Sequence, residues 1–159
     1  MKSFLIEIKW AFLFILSILI WMVLERLFGL HDEHIYLHQY ITMLYSIVAI
    51  SVYFLALRNK REDYYNGKIT YLQSFISGLI ITGIITLFTP ITQWIILEII
   101  TPDFFENMIQ YSFDKGMYES KAAAESYFNY KNYVIQSVIG ALILGVVTTA
   151  IVSIFIKKK

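Results

Sequence analysis

At 159 residues the chain has room for one domain, and its 58% hydrophobic content and mean hydropathy of +0.62 exceed what a soluble core needs. A formal charge of +1 supplies no concentrated basic surface for phosphates, so nucleic acid is not an expected partner. The absence of cysteine excludes disulfides, iron–sulfur clusters, thiolate metal sites and cysteine nucleophiles.

A helix needs about 20 apolar residues to cross a bilayer, and the first run that long covers roughly residues 8–28. Glu7 and Lys9 interrupt its start, and bulky Met22, Val23 and Leu24 stand where a signal peptide would have small residues, so it reads as a retained span. Glu25 and Arg26 lie near its far end, where ionisable residues are functional candidates. Neighbours on a helix do not face each other, which makes Glu98, near the end of the third span, an alternative partner for Arg26. A structural ion pair is the plainer reading of these groups, and a proton relay the other.

The joint from Gly29 to His38 has no Lys or Arg but holds all three histidines of the chain. Offsets of three and four would place His31, His34 and His38 on one face of a helix, beside Asp32 and Glu33. Imidazoles with a nearby carboxylate suit zinc, copper or nickel. The same cluster could respond to pH, and a solvated polar turn explains the composition equally well.

The second span covers about 39–57 and is followed by Arg58, Lys60, Arg61 and Lys68. Asn66-Gly67 marks a turn, and Thr70 through Gln73 has the form of a capping box that opens the third span, about 72–99. Within it Ser74, Gly78, Thr82 and Thr86 recur every four residues before Pro90. Pro90 removes a backbone hydrogen bond, which predicts a kink around Phe88 to Ile91 and makes it a candidate hinge. Gln93 is a polar group at span depth.

Thr101 and Pro102 read as the N-cap and first position of a new helix. Residues 102–129 then predict an amphipathic helical hairpin: Phe104, Phe105, Met108, Ile109 and Phe113 share helical spacing, Gly116 can close the first arm, and Ser120 can cap the second. The fourth span, about 133–156, carries small residues at Ser137, Ala141, Gly145, Thr149 and Ser153. Helices in lipid associate through close packing and polar contacts. The third and fourth spans are therefore expected to pack face to face, with Gly78 and Gly145 allowing near-backbone approach.

Lys2 and Lys9, the joint after the second span, and Lys157 to Lys159 hold the basic excess, so both termini are expected on the cytoplasmic side. The tryptophans and many tyrosines read as interface anchors.

Trp21-Met22-Val23-Leu24-Glu25, Gly29-Leu30-His31-Asp32, Asn66-Gly67-Lys68, Ser77-Gly78, Thr101-Pro102-Asp103-Phe104-Phe105 and Tyr127-Phe128-Asn129, in that order and with the terminal lysine run, resemble the bacterial family catalogued as domain of unknown function 4199. The resemblance runs nearly end to end. It implies a small four-span protein of a Gram-negative inner (cytoplasmic) membrane and brings no activity, cofactor or partner with it. Ser74 stands where the pattern has glycine before Phe75, which bears on the closest packing there.

The expected fold is all-α, an integral membrane four-helix bundle with an extracytoplasmic amphipathic hairpin between spans three and four. No hydrolase elbow, phosphate loop or metalloprotease helix is present, so no enzyme and no cofactor are expected. The leading expectation is a lipid- or protein-interaction module whose partners are the bilayer and a second membrane protein or a further copy of itself. One rival is a small transporter or channel using Glu25, Arg26, Gln93 and the Pro90 kink. Another is an outward metal or pH sensor built on His31, His34 and His38.

Overall fold

The joints organise this molecule: two are short, and the third, between the last two spans, holds two further helices. In the computed structural model, which describes residues 2–158, the elements are α1 (Lys2–Leu27), α2 (Ile35–Asp63), α3 (Tyr71–Trp94) with a π-helical extension (Ile95–Ile100), α4 (Phe104–Asp114), α5 (Lys121–Tyr127) and α6 (Tyr130–Ile156). The Lys2 side chain and Lys159, counted above in the basic excess, lie outside what is described. Helices α1, α2, α6 and α3 with its extension are long and apolar enough to cross a membrane. The protein is an all-helical, multi-pass membrane protein.

Each reversal has a local cause. Gly29, at φ +69°, ends α1 in a Schellman turn: its N–H reaches the Arg26 carbonyl and the Leu30 N–H reaches that of Glu25, both at 3.0 Å. Gly116 ends α4 in the same way, through Phe113 and Ser112. The Asn66-Gly67 turn uses two positive-φ residues, and the Thr70–Gln73 capping box forms with both of its hydrogen bonds. Ser120 caps α5 by accepting from the Ala123 N–H. Ile69 and Lys158 exchange two backbone bonds of 2.9 Å, tying the α2–α3 joint to the end of α6.

Helix α3 continues past Pro90, and a turn later the chain widens to π-winding at Ile95–Ile100. One local expectation changes. Thr101 does not cap α4. Its N–H and hydroxyl both donate to the Ile96 carbonyl, closing the π segment, and Asp103 takes the N-cap position.

In the bundle α3 lies most extensively against α6, α1 touches α2 and α3, and α2 closes the ring against α6. The α3–α6 seam is set by small residues. A Cβ built on Gly78 would stand 2.3 Å from Thr149 Cγ2, and one on Gly145 would stand 2.5 Å from Thr82 Cγ2. Hydroxyls stitch the same seam: Ser74 pairs with Ser153 at 3.0 Å, and Tyr53 from α2 pairs with Thr82 at 2.8 Å. Interhelical hydrogen bonds of this kind average about 0.6 kcal/mol each in a membrane protein. Close packing, made possible by two missing side chains, therefore carries more of the association.

At the end of the bundle that bears the chain termini, Glu7 of α1 is buried against Lys60 of α2 at 2.7 Å and accepts from Ser77 of α3 at 2.7 Å. Three helices meet on one carboxylate there. At the opposite end Glu25 takes the corresponding place.

Candidate functional site

Glu7 and Glu25 are eighteen residues apart, five turns of helix, so one face of α1 presents both carboxylates to the interior about 27 Å apart. Glu25 is 2% exposed and is held from every side. Trp21, one turn back on the same face, donates its indole N–H to Oε1. The Thr42 hydroxyl of α2 lies 2.8 and 2.9 Å from the two carboxylate oxygens. His31 Nε2 and His38 Nδ1 each lie 3.2 Å from Oε2.

The Schellman turn at Gly29 makes this possible, because it folds the chain straight back and brings His31 beneath the carboxylate six residues before it. His38 arrives from the first turn of α2, one turn before Thr42. Phe104 at the start of α4 covers both imidazoles, with ring centroids 5.5 Å from His31 and 5.0 Å from His38. Asn107 donates to the His31 carbonyl at 2.9 Å, so α4 is fastened to the joint as well as stacked on it. Tyr133 packs edge-on against Phe104 from α6.

A cavity of about 620 Å³ lies beside this cluster, between α1, α2, α3 and α6. Thr42, Gln93 and Ser137 line it near the Glu25 end, and Tyr53 and Gly145 line it deeper in the bundle. Its wall is overwhelmingly apolar, and no charged side chain lines it among the described residues. The space exists because residues that could fill it are small: Ala49, Ala141 and Gly140, where a Cβ would meet nothing within 4 Å. Thr42 joins the two features, since it lines the cavity and bonds to Glu25.

Of the residues singled out in the sequence, His31 and His38 meet at Glu25, whereas His34 is exposed and stands apart, its ring beside Tyr36. The stretch is not one helix: residues 28–34 are turn, and α2 begins at Ile35, so the helical register linking the three histidines does not exist. Arg26 points away from Glu25 and donates to the Ile100 carbonyl, at the end of the π segment. Glu98 is exposed and forms no ion pair with it among the described residues. Gln93, Ser137, Ala141 and Gly145 line the cavity, Gly78 and Thr82 lie in the α3–α6 seam, and Ser74 is bonded to Ser153. The Pro90 carbonyl accepts from the Tyr130 hydroxyl at 3.2 Å.

Trp21, Thr42, Phe104 and the Glu7–Lys60 pair escape a reading of the sequence. Trp21 carried a usable signal, four residues before Glu25 and so on its face. The others come from distant segments and carry none.

Comparison with curated proteins and with solved structures finds no match. The family model described as "Protein of unknown function (DUF4199)" matches residues 9–158, which take in most of the first span and all of the other three, Glu25 but not Glu7, and the whole joint that carries the histidines. The chain belongs to that family.

Proposed function

We propose that this is a non-enzymatic lipid-interaction protein that holds one neutral, single-chain amphiphile in the cavity between its spans. The observation that carries the reading is the cavity itself. Its volume lies within the range of about 300–1,000 Å³ typical of small-molecule sites, and its mainly apolar wall with a few polar groups has the usual character of such sites. From Thr42 to Tyr53 it follows three turns of α2, about 16 Å, which suits an extended hydrocarbon chain. Thr42, Gln93 and Ser137 supply hydrogen-bonding groups for a head at one end. With no charged lining residue, and with the Glu25 carboxylate just behind Thr42, an uncharged head is favoured over an anionic one.

Burying this surface against hydrocarbon rather than water also weighs against the channel reading, since apolar cavities stay dry. Phenylalanine at Gly140 would place a ring in the open space and displace the chain. Lipid extracted from purified wild-type protein should contain one tightly retained neutral amphiphile per chain, and the Gly140→Phe variant should retain less than about a tenth of it. Equal retention by the two would refute the assignment.

We further propose that the protein resides in a bacterial cytoplasmic membrane with both termini cytoplasmic, because Lys9, Arg58, Lys60, Arg61, Lys68, Lys157 and Lys158 gather at that end. The Glu25 cluster and α4–α5 then face outward. In this placement α4, α5 and the joint between them, with Phe113, Met117 and Tyr127 exposed, lie along the outer membrane surface.

A further inference from the structure

We propose that Glu25, His31 and His38 form a binding site for a single transition-metal cation of the zinc type, which adjoins the cavity at Thr42 but does not need its occupant. The donor atoms are already gathered: one oxygen and two imidazole nitrogens, all within 4.8 Å of one another. In a tetrahedral zinc site with bonds of about 2.0–2.1 Å, neighbouring donors stand about 3.3 Å apart. Two of the three edges here, Oε2 to His31 Nε2 and Oε2 to His38 Nδ1, measure 3.2 Å. Only the imidazole–imidazole edge has to close, and His38, with 14% of its side chain exposed, has room to turn.

The surroundings suit a metal better than a plain hydrogen-bond cluster. Trp21 donates to Oε1 and Thr42 bonds to both oxygens, which orients the carboxylate and raises Oε2 toward the two rings, the role outer partners play around metal-bound carboxylates. Three groups crowd that single oxygen: Thr42, His31 and His38. Two imidazoles and one carboxylate favour zinc, and calcium or magnesium, which require oxygen ligands, are disfavoured. Three protein ligands leave a fourth position for water or an external group, as in open zinc sites.

Such an ion would join the end of α1, the first joint and the start of α2, and through Phe104 it would underlie α4. His34 takes no part, which gives the test an internal control.

The test is calorimetric titration of zinc chloride into the untagged full-length protein in detergent, paired with cobalt absorption as a readout of coordination geometry. One ion per chain should bind, and cobalt should show the intense visible bands of a tetrahedral complex. His38→Ala and Glu25→Gln should each weaken binding by at least about tenfold and abolish the bands, with His34→Ala unchanged. His38 sits at the edge of the bundle, so His38→Ala, checked for native helix content by circular dichroism, carries the test should Glu25→Gln fail to fold. Absence of stoichiometric zinc binding to the wild type overturns the site, as does binding that His38→Ala leaves intact.

Discussion

Replacing Lys60 by methionine is expected to destabilise the protein by about 3–5 kcal/mol, the usual cost of leaving one member of a buried ion pair behind. Glu7 is 2% exposed, its Oε2 has no hydrogen-bond partner among the described residues, and Lys60 Nζ lies 2.7 Å from Oε1. The ammonium also sits 4.3 Å from the Tyr64 ring centroid, a contact worth about 0.5–2 kcal/mol that the same substitution removes. The sign of the double variant separates these contributions. Glu7→Gln combined with Lys60→Met removes both charges and should recover most of the loss, because what is expensive is the unpaired carboxylate and not the absence of attraction. Unfolding by sodium dodecyl sulfate from mixed micelles measures both. A neutral single variant would show that water reaches Glu7 and that this end of the bundle is open.

A second large effect is expected at Gly78. Alanine there would put a methyl group 2.3 Å from Thr149 Cγ2 and 2.6 Å from its Oγ1, distances that real side chains do not adopt. Helices α3 and α6 would have to separate, at a cost of about 1–3 kcal/mol from overpacking. Truncating the neighbour relieves it: Thr149→Ala in the same chain removes both of those atoms and leaves only the 3.0 Å approach to Cβ. The double variant should therefore be more stable than Gly78→Ala alone in the same detergent titration. If Thr149→Ala merely added to the damage, the two residues would not be in contact.

These two expectations differ in how far the sequence could have supplied them. The Gly78 and Gly145 rows are visible as a spacing of four along each span, since small residues at that interval form a groove and grooves in lipid attract neighbours. The caps and turns at Thr70, Gly116, Ser120 and Asn66-Gly67 are equally local and equally visible. The ion pair is not, because Glu7 and Lys60 lie on different helices and each has a separate explanation, one as an interruption of a span, the other as part of a basic joint. The histidine cluster falls between. Its composition draws attention to His31 and His38, but helical spacing also enlists His34, and only the positive-φ turn at Gly29 decides that His31 folds back under Glu25 while His34 faces away. The cavity was hidden for another reason. It is made by the smallness of Ala49, Gly140 and Ala141, and residues that pack tightly in one place leave space in another, a difference of three-dimensional register that no spacing rule contains.

Whether the cavity holds hydrocarbon or water is the question on which the account turns, and the chain is well suited to answer it because it has no native cysteine. Ala49 lines the cavity on α2, about midway between Thr42 and Tyr53. With Ala49→Cys protein in proteoliposomes, the lipid-binding account predicts that a water-soluble, membrane-impermeant maleimide fails to label from either side, and that the same reagent labels once the protein is unfolded in sodium dodecyl sulfate. Ready labelling by the water-soluble reagent would contradict it and make the bundle an aqueous pathway instead.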